Sequence, residues 1–130
     1  MTKAERARSF SDYLQTEGYA ATTDEDSDIV FKYEGAVYLV VMDDTDIGFF
    51  RIVFPNFWPI ESESERAKVE KAALAATAGI KVAKVFPVSN NVWATIEMFT
   101  TDIEQAKAVF KRSMLALRAA VNKFAQEMLN

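Results

Sequence analysis

The chain has 130 residues, 50% of them apolar and 12% aromatic, with 15 basic and 19 acidic side chains and neither cysteine nor histidine. That length favours a single domain spanning residues 1–130, able to bury about two-thirds of its unfolded-chain surface, and the apolar content excludes a wholly disordered chain. Disulfides, thiolate or imidazole nucleophiles and the usual zinc and haem sites are excluded as well.

Helical spacing of Ala7, Phe10, Tyr13, Leu14 and Glu17 predicts a first helix over residues 2–17, with Gly18 at the left-handed cap. Residues 19–23 read as a short extended segment, followed by the polar turn Asp24-Glu25-Asp26-Ser27. Three strands are then expected. Asp28 to Tyr33 alternates in polarity, and Glu34-Gly35 makes a two-residue hairpin turn. Val37 to Met42 is apolar on both faces, and Ile47 to Phe54 sets Phe49, Arg51 and Val53 opposite Phe50, Ile52 and Phe54. Pro55 and Pro59 bracket an irregular aromatic segment, because proline cannot donate to a continuing ladder.

Ser62-x-x-Glu65 marks the start of a second helix that ends at Gly79, with mostly small residues on its apolar face: Ala67, Val69, Ala72, Ala73, Leu74, Ala76 and Ala78. A hairpin of Lys81–Val88 and Val92–Phe99 turns at Ser89-Asn90-Asn91. Thr101-x-x-Glu104 then caps a last helix of about 27 residues, ~40 Å long at the usual rise. Its stripe is Ile103, Ala106, Phe110, Met114, Leu117, Val121, Phe124 and Met128. A strand of eight residues spans only ~26 Å, so this helix overhangs the sheet. The stripe near Phe124 and Met128 then needs cover, from the first helix or from another chain, and a second subunit is the preferred source. The fold class is α+β: a five-stranded antiparallel sheet with helices packed on one face, in the order α-β-β-β-α-β-β-α.

Three stretches carry a family resemblance: Asp26-Ser27-Asp28-Ile29-Val30-Phe31; Ala75-Ala76 through Ile80-Lys81-Val82-Ala83-Lys84-Val85-Phe86; and Asn91-Val92-Trp93-Ala94-Thr95-Ile96-Glu97-Met98-Phe99. With the element order, they resemble the bacterial YbjN family within the type III secretion chaperone-like fold, over roughly residues 3 to 128. The resemblance implies a fold and a style of function more than a reaction. Secretion chaperones of this fold are small acidic homodimers that hold an extended client segment.

Charge divides along the chain. Asp12 to Glu65 holds 13 acidic and 2 basic residues, a net of −11, while residues 66–130 hold 10 basic and 5 acidic, a net of +5. The acidic balance disfavours nucleic acid, and the two-signed pattern fits either steering of a charged partner or aspartate-rich turns beside lysine-bearing helices. The longest apolar run, the seven residues Ala36–Met42, is too short for a membrane span. The opening residues lead into no signal-peptide core, so a cytoplasmic location is expected.

Asp24-x-Asp26-x-Asp28 imitates a calcium loop, but Ile29 stands where glycine belongs and Gly35 where a bidentate glutamate is required. Asp43, Asp44 and Asp46 fit a turn better than a metal site. Glu97 sits alone between Ile96 and Met98, on the solvated face shared with Trp93 and Thr95. With four scattered glycines and no nucleophile motif, no catalytic residue, metal or cofactor is expected, and the chain reads as a non-enzyme. The aromatic density points to binding. One of Phe49 and Phe50 must face away from the helices, leaving an apolar sheet face that is either an interaction surface or covered within the chain by the last helix or the Pro55–Pro59 segment. The chain therefore reads as a homodimeric protein-interaction module, with Phe54, Phe57, Trp58 and Trp93 as partner contacts and Val121, Phe124 and Met128 as dimer contacts. A small apolar ligand held between sheet and helices is the alternative.

Overall fold

Thr2 begins the first helix with a full capping box: its hydroxyl accepts from the Glu5 amide while the Glu5 carboxylate accepts from the Thr2 amide. In the computed structural model, which describes residues 1–130, this helix, α1, spans Lys3–Thr16. It is followed by β1 (Ala21–Thr23), β2 (Ile29–Tyr33), β3 (Ala36–Met42), β4 (Phe49–Phe54), α2 (Glu63–Gly79), β5 (Ala83–Val88), β6 (Asn91–Phe99) and α3 (Ile103–Leu129). The α+β class holds, and the sheet is antiparallel. It has six strands, not five, in the order β1-β2-β3-β4-β6-β5. The added strand, β1, is three residues long. That is too short for an alternation of period two to declare itself. No helix is long and apolar enough to cross a membrane.

The residues form two compact units, Met1–Val53 with Glu97–Phe110 and Phe54–Ile96 with Lys111–Asn130. In the first, β2 and β3 pair through a turn in which Glu34 and Gly35 both take positive φ, +48° and +81°, as a two-residue hairpin of this hand requires. Ile29, Phe31, Tyr38, Val40, Phe50 and Ile52 share one sheet face and are buried. Phe10 of α1 packs 5.7 Å from Phe50, and Phe110 of α3 lies 5.8 Å from Phe10 and 5.5 Å from Phe31. Tilted and edge-to-face aromatic packing therefore fills the space between helix and sheet. The Tyr13 hydroxyl ties the two helices together by donating to the Lys107 carbonyl at 3.1 Å.

In the second unit, Ser62 caps α2 as expected, but the Glu65 carboxylate reaches the Glu61 amide instead of closing the box. Val69, Ala72, Ala73 and Ala76 are buried, whereas Leu74, predicted on that face, is 71% exposed. One turn on, the Thr77 hydroxyl accepts from the Val85 amide at 2.9 Å and donates to the Val85 carbonyl at 3.3 Å. Thr77 thus satisfies the outward backbone groups of Val85 on β5, an edge strand.

Helix α3 has the expected length of 27 residues. Its cap is Asp102, not Thr101: the Asp102 carboxylate accepts from the Gln105 amide, and the Thr101 amide instead donates to the Gln105 side chain. Ala120, at 0% exposure, takes the central place in the buried stripe that the sequence suggested for Val121, which is half-buried.

Candidate functional site

Strand alternation divides the first unit's sheet into two apolar faces. The face opposite the helices carries Val30, Val37, Leu39, Val41, Phe49 and Phe99, together with Arg51 and Glu97. Phe50 and Ile52 turn to the helices, so the exposed parity of β4 is that of Phe49. On this face Val37 is 47% exposed and Phe99 81%, while Val30, Leu39, Val41 and Phe49 are half-buried. Val53, paired with Leu39, is buried, so the face is open toward Val37 and Phe99 and covered at Val53. Phe49 and Phe99 meet at 6.1 Å. Arg51 faces Glu97 at 3.6 Å, so that glutamate, read from sequence as merely solvated, sits half-buried beside an arginine.

One end of the face is built by a close backbone approach. The Gly48 carbonyl accepts from the Thr100 amide at 2.6 Å. A Cβ on residue 48 would stand 2.6 Å from the Thr100 carbonyl oxygen, so only glycine lets the two backbones come together. The Asp46 carboxylate fixes the approach by accepting from the Gly48 amide at 3.1 Å. Ile47, 62% exposed, is thereby held beside Phe49, and both line a small hollow with Arg6, Val41, Phe50, Thr100 and Asp102.

The aromatic residues nominated from sequence lie in the second unit. Phe54 and Phe57 stack at 5.2 Å, and Phe57 and Trp58 each meet Phe124 edge-on, at 5.6 and 5.4 Å. Phe54, Phe57 and Trp58 are half-buried, Phe124 is 0% exposed and Met128 6%. The cover that Phe124 was expected to draw from a second subunit comes from the aromatic segment of the same chain. Phe124 and Met128 offer almost no surface to a partner. The segment itself is anchored along β6. The Phe57 and Ile60 amides donate to the Val92 and Asn90 carbonyls, and the Trp58 amide donates to the Asn91 side chain. Trp93, also half-buried, donates its indole N–H to Asn56 at 3.0 Å.

The aspartate clusters serve the backbone. Asp24 accepts from the amides of Asp26 and Asp28, and Asp28 accepts from the Met42 amide. Asp43 accepts from the Thr45 and Asp46 amides, and these hydrogen bonds hold its carboxyl below the ordinary value of 3.8. Lys3 lies 3.2 Å from Asp44 and 3.8 Å from Asp28.

No family model matches the chain, and no curated protein matches it significantly. Sequence reasoning missed Ile47 and undervalued Phe99. The available signal was parity: Phe99 shares the alternation of Glu97, and the aspartate-rich turn placed Ile47 at the strand's mouth.

Proposed function

We propose that the chain is a protein-interaction module that buries an apolar segment of a partner protein on the open sheet face of its first unit. The observation that carries this reading is Phe99, 81% exposed beside Phe49 on a face lined by Val37, Leu39 and Val41. A phenylalanine side chain left in water forgoes roughly 1.5–3 kcal/mol of burial, and contiguous apolar surface of this kind marks interaction sites. Holding an extended client segment is also the style of function implied by the sequence resemblance to YbjN and the secretion chaperones. Strand addition is the less favoured mode. At one edge Thr77 occupies the Val85 backbone groups, and at the other β1 is three residues long with its Ala21 carbonyl taken by Gln15. A ligand held between helix and sheet in the first unit would have to displace the packed rings of Phe10, Phe31, Phe50 and Phe110.

The test is suppression of aggregation of reduced insulin chains, a supply of extended apolar polypeptide. The wild-type protein should suppress light scattering, and Phe99→Ser should lose most of that effect while keeping its circular dichroism. If Phe99→Ser suppresses as well as wild type, the open face is not the site. Light scattering coupled to size exclusion, run across a dilution series, reports whether a second copy occupies the face. A doubled mass that Phe99→Ser abolishes would identify the homodimer with this surface.

A further inference from the structure

The open face is rimmed by one sign of charge. The first unit holds fourteen acidic and six basic side chains, a net of −8, while the second holds five and nine, a net of +4. Around Ile47, Phe49 and Phe99 the imbalance is local. Asp46 and Asp102 are exposed and have no basic side chain within salt-bridge distance, whereas Asp44 is paired with Lys3 at 3.2 Å. Of the nearby basic groups, Lys3 faces Asp28 and Asp44 and Arg51 faces Glu97. Arg6 lines the same hollow as Asp102 without meeting a carboxylate, but it is 7% exposed, with one guanidinium nitrogen on the Asp43 carbonyl at 2.8 Å. An apolar surface whose exposed rim charges are acidic attracts cations and repels anions.

We infer that the segment this face takes is basic: an extended stretch of a partner protein with bulky apolar side chains seated on Ile47, Phe49 and Phe99, and lysine or arginine flanking them toward Asp46 and Asp102. The exposed Phe99 ring adds to the preference, because a guanidinium stacks on an aromatic face where a carboxylate does not. An acidic segment of the same apolar content meets like charge and is excluded. This inference rests on the proposed open-face site and adds the chemistry of its occupant.

The experiment uses three fluorescein-labelled peptides of about fifteen residues, alike in their apolar anchors and differing only in flanking residues: lysine and arginine, serine and glutamine, or aspartate and glutamate. Binding is read by fluorescence anisotropy. The basic peptide should bind about ten-fold tighter than the neutral one at roughly 50 mM salt, and most of that advantage should vanish near 500 mM. The double substitution Asp46→Asn with Asp102→Asn keeps the side-chain acceptors that the Gly48 and Gln105 amides use and removes two charges. It should erase most of the basic preference and leave the neutral peptide's affinity unchanged. Phe99→Ser should weaken the neutral and basic peptides alike. Equal binding of neutral and basic peptides, both sensitive to Phe99→Ser, overturns the inference and leaves the open-face site standing. Binding insensitive to Phe99→Ser, or no binding by any peptide, overturns the site itself.

Discussion

Replacing Phe124 with alanine separates the two roles that aromatic residues play in this chain. Its ring is 0% exposed and is met edge-on by Phe57 at 5.6 Å and Trp58 at 5.4 Å. Truncating a fully buried phenylalanine costs about 3–5 kcal/mol, through lost transfer energy and the cavity left between those rings. Unfolding entropy of roughly 2.1 cal/mol/K per residue gives ~270 cal/mol/K for a chain of this size, so Tm should fall by about 11–18 °C. In urea, with a slope of roughly 2 kcal/mol/M, the midpoint should move by about 2 M. Phe99→Ala is the control, because a residue 81% exposed should change stability by no more than about 0.5 kcal/mol. Urea titrations followed by circular dichroism and by tryptophan emission, which includes that of Trp58, measure both variants. A cycle with Phe57→Ala should return a coupling of about 0.5–1.5 kcal/mol for that ring pair. If Phe124→Ala costs less than about 1.5 kcal/mol, or no more than Phe99→Ala, the cluster is not the core of the second unit. The aromatic segment would then again be a candidate contact loop.

Gly48→Ala should destabilise the protein by more than about 1 kcal/mol, since its Cβ would stand 2.6 Å from the rigid Thr100 carbonyl oxygen; amide exchange at Thr100 should accelerate. Unchanged exchange there would mean the two backbones separate without cost. Asp43, held below 3.8 by hydrogen bonds from the Asp46 and Thr45 amides, stabilises the folded state at pH values above 3.8 and loses that contribution as pH falls through its lower folded value. A carboxyl carbon-13 titration should place its midpoint below 3.8, and Asp43→Asn should flatten stability's dependence on pH in that window. A midpoint at or above 3.8 would count against the turn geometry.

Much of the element order was legible because length and period favoured it. The stripe of α3 repeats over its 27 residues, long enough for the helical period to average over local exceptions. Its cap was misread by one position, because Thr101 and Asp102 are both good capping residues and only the Gln105 amide, bonded to Asp102, decides between them. The candidate site was less legible. Strand β4 is apolar at both parities, so alternation alone could not say whether Phe49 or Phe50 faces the helices; the Phe10 ring settles it on Phe50. Five aromatics between residues 49 and 58 showed density without direction. What turns Phe57 and Trp58 toward Phe124 is the anchoring of their amides along β6, a long-range pairing that no local pattern encodes.

The acidic character of the first unit has two sources that must be separated before any of it is assigned to recognition. Glu5, Asp24, Asp28, Asp43, Asp46 and Asp102 each accept backbone amide hydrogen bonds at helix starts or turns, so chain geometry alone explains why a carboxylate or a similar acceptor stands there. Asparagine would supply the same acceptor at most of these turn positions without charge. The hydrogen bond therefore accounts for an oxygen, not for a net of −8 concentrated in one unit, which costs self-repulsion in the folded state. Near Phe99 that cost is only partly relieved, since neither Asp46 nor Asp102 forms an ion pair and Arg6, which lines the hollow with Asp102, is buried on the Asp43 carbonyl. A cationic segment docked on Ile47, Phe49 and Phe99 would relieve it, adding charge neutralisation to apolar burial at the same place.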